Sequence, residues 1–313
     1  MTPTEHPLMD TNNYPPDFAP VILVFNTSYL GDALLCNALC QDIREAFPRA
    51  RIVFVTDRKF TDAAAYQKDV DEVIPFDKKG AHKGFFGALR FIKDFPYRRP
   101  FAAFITYKNE RNALIARFIG TRFIFTSDDT FPGKVQDRHC APLEKALGRK
   151  FLSKPICYEP PELSPGLAYL KSMPPYVVIS PVSKNLERDL DPAWCAEVLK
   201  LLSAKGVPVV LSGVGARVAP HEAALKASGL PFTDLVGKTS IAELGAVLKA
   251  SRGVISADTG SLHLAAAVGA KTVGIFKKPG QIPLWAPDES LYNCRILTGE
   301  ASPKKAVEAL SLL

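Results

Sequence analysis

Gly253-Val254-Ile255-Ser256-Ala257-Asp258-Thr259-Gly260-Ser261-Leu262-His263-Leu264-Ala265-Ala266-Ala267-Val268-Gly269-Ala270 runs from a β-rich stretch through an acidic, hydroxyl and glycine turn into an alanine-rich helix. A strand that empties directly into a helix is the unit of an α/β fold. The first turn of such a helix offers backbone N–H groups with no partner inside the helix, which suits an anion. Thr259 and Ser261 supply capping or donating hydroxyls, Gly260 lets a ligand approach the backbone, and His263 sits in the first turn facing the same opening. A capped helix start accounts for the turn alone. An Asp, a Thr, a Gly and a His so close together at one strand–helix junction point to a ligand.

The same alternation extends outward along the chain. In the first half, strands are expected at 21–25, 51–55, 72–75, 101–106 and 122–125, with helices near 32–46, 60–66, 84–95 and 110–118. A proline-heavy stretch, Glu159-Pro160-Pro161-Glu162-Leu163-Ser164-Pro165-Gly166, breaks that rhythm and reads as a linker. The second half restarts with strands at 176–180, 207–212, 232–236, 253–256 and 271–276, and helices at 192–205, 219–228, 240–250 and 261–268. The fold class is therefore α/β: two Rossmann-like domains with parallel sheets facing a central cleft, spanning 18–165 and 166–313, after a flexible N-terminal arm at 1–17. In open sheets of this kind ligands bind at the carboxyl ends of the strands, where the turns 26–32 and 257–263 both fall.

Composition narrows the function classes. The 313 residues are 47% hydrophobic and 23% charged, as in a globular protein, and no apolar run reaches the ~18–20 residues that span a bilayer. The proline-rich start lacks the pattern of a secretory signal, and six scattered cysteines fit reduced thiols rather than a disulfide framework; a cytoplasmic protein is expected. Cys36 and Cys40 lie one helical turn apart without a second pair at zinc-site spacing, so core packing is their expected role. A formal charge of +7 suggests an anionic partner without choosing among nucleic acid, glycolipid and sugar nucleotide.

Three segments together resemble the heptosyltransferase family of glycosyltransferases. The first is the turn 256–270. The second is the opening Val21-Ile22-Leu23-Val24-Phe25-Asn26-Thr27-Ser28-Tyr29-Leu30-Gly31-Asp32, followed by a helix, Pro48-Arg49-Ala50 and the strand 51–55. The third is Gly237-Lys238-Thr239-Ser240-Ile241. The resemblance spans roughly residues 21–287. It implies a GT-B fold and an inverting, metal-independent transfer of heptose from ADP-heptose to a phosphorylated lipopolysaccharide-core glycolipid, with no cofactor and no nucleic-acid partner. Asp32 would be the catalytic base by the resemblance; from sequence alone a helix N-cap is the favoured role for it. Arg188 would stabilise the leaving diphosphate, with Lys184 as the alternate, and Ser183, Lys184, Thr239, Asp258, Thr259, Gly260, Ser261 and His263 would bind the donor. Glu187 and Asp189, between them, read as a solvated charged loop.

The chain departs from the family pattern at Leu190-Asp191-Pro192, in place of a Trp-Pro pair, at Ser212-Gly213-Val214-Gly215-Ala216-Arg217, where a donor-binding Glu is expected, and at Phe276-Lys277-Lys278-Pro279. Gly213-Val214-Gly215 lacks the third glycine of a dinucleotide fingerprint, and the pairs Asp69/Asp71 and Asp189/Asp191 are spaced as in metal-dependent transferases. Between Lys78 and Arg99 basic residues alternate with aromatics. Lys79, Lys83 and Arg90 are therefore candidates for the acceptor or an anionic inner-membrane surface, alongside the plainer role of an amphipathic helix whose Phe face joins the core. Two other functions compete with heptosyl transfer: a nucleotide-sugar epimerase or transferase of another sugar on the same fold, and a non-catalytic nucleotide- or glycolipid-binding protein.

Overall fold

The computed structural model describes residues 9–312, and the chain divides after Ile156 into two compact units. The division precedes the proline-rich stretch, which belongs to the second unit: Tyr158 donates its N–H to Ala267 O at 3.0 Å, and its ring packs on Gly245. Residues 1–8 of the expected arm lie outside the described residues. Met9 and Tyr14 of that arm are anchored to the first unit. Met9 is buried and donates its N–H to Ala146 O at 2.9 Å, and Tyr14 stacks on Phe18 while meeting Phe101 edge-on.

The first unit contains strands β1 (Val21–Asn26), β2 (Arg51–Asp57), β3 (Glu72–Phe76), β4 (Ala102–Ile105) and β5 (Phe123–Thr126). Its helices are α1 (Leu30–Leu35), α2 (Asn37–Ala46), α3 (Thr61–Ala65), α4 (Gly84–Asp94), α5 (Glu110–Ile119) and α6 (Val135–Leu147). The strands form one parallel sheet in the order β3-β2-β1-β4-β5. Central β1 and β4 are buried on both faces, which is why they read as continuous apolar runs. The helix expected at 32–46 is two helices, jointed at Cys36, whose backbone N–H and thiol both turn to Asp32 O at 3.2 Å. Cys36 and Cys40 are fully buried in the core, and burial pushes the Cys36 thiol up to about 12.

The second unit contains β6 (Val177–Ser180), β7 (Val209–Leu211), β8 (Thr233–Asp234), β9 (Gly253–Ala257), β10 (Thr272–Phe276) and β11 (Cys294–Thr298). Its helices are α7 (Pro192–Ser203), α8 (Ala219–Ala227), α9 (Ile241–Ala250), α10 (Gly260–Ala267), α11 (Ile282–Trp285) and α12 (Pro303–Leu312). Its parallel sheet runs β11-β10-β9-β6-β7-β8. In both units the strand order reverses beside the first strand, between β1 and β4 and between β6 and β9. Within each unit the crossovers leave the switch point in opposite directions, and in open sheets of this kind ligands bind at the carboxyl ends of the strands there.

Candidate active site

At the first switch point the chain leaves β1 through Asn26, which is buried and hydrogen-bonded on every side. Its amide nitrogen donates to Thr106 Oγ1, just past β4, at 3.0 Å and to Cys36 Sγ at 3.2 Å, while its oxygen accepts the Ser28 N–H at 3.0 Å. Thr106 Oγ1 donates in turn to Phe25 O at 3.0 Å, and Asn112 Nδ2 reaches Thr27 Oγ1 at 3.3 Å. A buried network so fully satisfied rigidifies the turn that leads to Asp32. α1 begins at Leu30, so Asp32 is its third residue and not its N-cap; one carboxylate oxygen reaches back to the Tyr29 N–H at 3.2 Å. The other accepts a hydrogen bond from the Tyr107 hydroxyl. Burial, reinforced by the Asp32 charge, holds the Tyr107 hydroxyl far above its ordinary value, so it stays a donor at any working pH. The Tyr107 ring meets the edge of buried His139 at 5.5 Å. Burial first, and the Arg138 charge second, pull His139 down to about 3.

At the second switch point the turns after β6 and β9 are joined by an ion pair, Arg188 Nη1 to Asp258 Oδ2 at 3.1 Å. Both groups are mostly withdrawn from water. Burial raises the Asp258 carboxyl and Arg188 partly offsets it. Arg188 Nε is buried as well and finds no hydrogen-bond partner among the described residues. Thr259 occupies the N-cap position of α10 in extended conformation, but its hydroxyl makes no capping bond. Gly260 and Ser261 open the helix, and buried His263 follows in its first turn, 6.5 Å from the Trp285 ring. Burial lowers His263 to about 4, so at neutral pH it is an uncharged imidazole with one N–H to donate.

The remaining candidates line the carboxyl ends of the same strands. Ser183 is drawn into its own loop: its N–H donates to Asp189 Oδ1 at 2.7 Å and its hydroxyl to Asn185 O at 2.9 Å. Lys184 is exposed beside it, and Thr239 is half-buried ahead of Ser240, which caps α9 together with Glu243. Asp189, read from sequence as solvated, is buried and pairs with Arg217 at 2.8 Å; the same guanidinium donates to Ser183 O and, at 3.0 Å, to Lys184 O. Glu187 is exposed and pairs with Lys278. The loop 183–189 is thus tied down by residues arriving after β7, β9 and β10. Two of these ties, Arg217 and Lys278, lie in the segments that depart from the family pattern.

The Asp-x-Asp pairs are taken up by structure. Asp69 and Asp71 pair with Arg44 at 3.6 and 2.7 Å, and Asp191 caps α7 by accepting the Ala193 and Trp194 N–H groups. In the basic stretch Lys79 and Lys83 are exposed, while Arg90 pairs with Asp94 at 3.8 Å. Its aromatics divide: Phe91 and Phe95 are core residues, Phe85 and Phe86 are exposed. Sequence reading missed Tyr107 and Arg217. Tyr107 lies two residues past the apolar run of β4, the strand that pairs with β1.

The model of glycosyltransferase family 9 (heptosyltransferase) matches residues 150–309, just over half of the chain and nearly all of the second unit. The chain belongs to this family. Lipopolysaccharide heptosyltransferase 1 of Salmonella typhimurium is 23% identical over 87% of this chain and 96% of its own. A glycosyltransferase family 9 structure from Veillonella parvula superposes with a TM-score of 0.82 at 16% identity, over 94% of this chain and 96% of that one. E. coli ADP-heptose lipopolysaccharide heptosyltransferase II superposes at 0.77 and 18% identity, over 93% and 97%. The family 9 chain is a glycosyltransferase of the GT-B fold, and in it Arg217 and Lys278 hold the loop after β6.

Proposed function

We propose that the chain transfers heptose from ADP-heptose to a phosphorylated glycolipid of the lipopolysaccharide core, at the cytoplasmic face of the inner membrane. The observation that carries the reading is the turn Asp258–His263, which enters α10 with its capping hydroxyl unused and Arg188 held beside it. A helix N-terminus with its cap unused and a fixed cation beside it together suit the charge of a departing diphosphate. The relatives named for ADP-heptose and lipopolysaccharide support the choice of donor and acceptor.

In the mechanism, an acceptor hydroxyl attacks the anomeric carbon while Asp32 takes its proton. The bond from that carbon to the diphosphate oxygen breaks on the opposite face, ADP departs with the electron pair, and the anomeric configuration inverts. The Tyr107 hydroxyl and the Tyr29 N–H each hold one oxygen of Asp32 and fix the orientation in which the carboxylate meets the acceptor hydroxyl. Arg188, the N–H groups of Gly260 and Ser261, and His263 receive the charge of ADP. Ser183, Lys184 and Thr239 border the donor, and Lys79, Lys83 and Arg90 face the acceptor side.

The test is incubation with ADP-heptose and a heptose-deficient lipopolysaccharide, read by mass spectrometry for one added heptose with release of ADP. Absence of both product and ADP-heptose binding would overturn the proposal; binding without transfer would favour the non-catalytic reading.

A further inference from the structure

α4 and α5 carry more apolar surface than the core of the first unit uses. Phe91 of α4 and Ile115, Ala116 and Ile119 of α5 turn inward and join that core. Phe85 and Leu89, one turn apart on α4, and Leu114 and Phe118, one turn apart on α5, remain outside and line a groove of 390 Å³ between the helices. Phe85, Phe86 and Phe118 are 71%, 82% and 68% exposed, far beyond what folding requires of phenylalanine. The charge around them is predominantly positive: from Lys78 to Arg99 seven basic residues stand against one acid, Asp94, which Arg90 engages, and of the seven Lys78 is paired with Asp57. Lys79, Lys83, Lys93 and Arg117 are exposed at the rim, and Arg111 lines the groove beside Glu110.

We propose that the α4–α5 face is a membrane-docking surface. Phe85, Phe86, Leu114 and Phe118 enter the boundary between headgroups and acyl chains of an anionic bilayer, and the surrounding lysines and arginines hold its phosphates. The charge decides the occupant. A second copy of this face would set like charges against each other, and an uncharged apolar segment would leave the basic rim unmatched, whereas an anionic bilayer satisfies both parts at once. The inference deepens the glycolipid-acceptor reading and rests on it for why the enzyme should visit a membrane.

The test is co-sedimentation of the full chain with vesicles of phosphatidylethanolamine and phosphatidylglycerol, and separately of phosphatidylcholine alone. The protein is expected to follow the anionic vesicles and lose them in high salt. Phe85→Ser with Phe118→Ser, and separately Lys83→Glu with Lys93→Glu, are expected to weaken vesicle binding by about tenfold or more. Thermal melts check that these surface variants stay folded. Variants that bind like the wild type, no binding to anionic vesicles, or a dimer in sedimentation velocity that Phe118→Ser dissolves and vesicles leave intact would each overturn the proposal. The vesicles contain no glycan, and heptosyl transfer is measured apart on a deacylated, water-soluble acceptor. Transfer without vesicle binding removes the docking surface alone; vesicle binding without transfer removes the proposed reaction alone.

Discussion

Arg188 and Asp258 form a 3.1 Å ion pair that ties the turn after β6 to the turn after β9, the two strands side by side where the second sheet reverses order. The acid beside the proposed diphosphate site therefore acts through the cation it holds. Asp258→Asn removes a negative charge from the phosphate's surroundings, which by Coulomb's law alone favours the donor. It also frees Arg188, and that loss is expected to dominate. Donor affinity should fall by about tenfold in Asp258→Asn and further in Arg188→Ala, the scale of a hydrogen bond to a charged group. Calorimetric titration with ADP-heptose measures both. Tighter binding in Asp258→Asn would show that Asp258 opposes the donor instead of positioning its partner.

Asp32 and Tyr107 make a comparable pair across the first switch point. Asp32→Asn is expected to cut transfer by ~10²–10⁴ with donor binding intact, as for loss of a general base. Asparagine still offers an oxygen to the Tyr29 N–H, so the helix start survives the change. Tyr107→Phe removes a donor that favours the charged carboxylate. The acid limb of the kcat profile should then move to higher pH, with KM for the donor unchanged. A Tyr107→Phe enzyme whose profile does not move would make that hydroxyl a packing group only.

Much of this was legible from one-dimensional pattern. The buried strands β1, β2, β6 and β9 announce themselves as apolar runs ending in polar turns, and the strand-to-helix passage at 257–263 is explicit in the residues. Four elements were not, one of them the single turn α11, whose second residue is Pro283. α6 carries Pro142 inside it, which argues against a helix unless the surrounding packing overrides it. β11 is an edge strand with only Cys294 fully buried, and α12 begins at Pro303 beyond a polar stretch that hides the restart. At the site, residues adjacent in sequence were found and partners distant in sequence were not. Tyr107 lies 75 residues from Asp32, and Arg217 reaches Asp189 from 28 residues away; both contacts exist because parallel strands bring separate turns to one edge.

Transfer is expected to persist in excess chelator. The aspartates with metal-like spacing are engaged by Arg44, Arg217 and the N-terminus of α7, and the proposed leaving-group stabilisers are Arg188 and the start of α10. Product formation with and without EDTA, after prior dialysis, checks this. Activity that disappears with chelator and returns with manganese would reassign the charge stabilisation to an ion.

Buried histidine gives the first unit a pH-dependent stability of definite sign. His139 is lowered to about 3 in the fold, against an ordinary value of 6.5. Between those values the unfolded chain takes up a proton that the folded chain refuses, so stability rises with pH across this window and is lost as pH falls through it. Asp42 and Asp258, which burial raises, act with the opposite sign but are common to wild type and variant. His139→Phe keeps a ring against Tyr107 and removes the titration. Melting temperatures from pH 7 to pH 4 should fall less steeply in the variant; parallel curves would assign the acid sensitivity to other groups.

The last prediction separates the donor turn's chemistry from its support. His263→Ala removes one N–H beside the proposed phosphates, and a hydrogen bond to a charged group is worth ~1.5–3 kcal/mol, about tenfold to a hundredfold in affinity. Gly274 lies in β10 directly beneath the helix start: a Cβ there would meet Leu262 at 3.0 and 3.1 Å and Ile296 at 3.0 Å. Leu262 sits between Ser261 and His263, so the overpacking in Gly274→Val presses on the side chain that seats the first turn of α10, at ~1–3 kcal/mol. Gly274→Val is therefore expected to lower both the melting temperature and the donor affinity, and His263→Ala the affinity with little change in melting. Titration of both variants with ADP-heptose, beside melts of the unliganded proteins, makes the comparison. Affinity unchanged in His263→Ala but reduced in Gly274→Val would leave the backbone of the turn, and not the imidazole, as the group that receives the diphosphate.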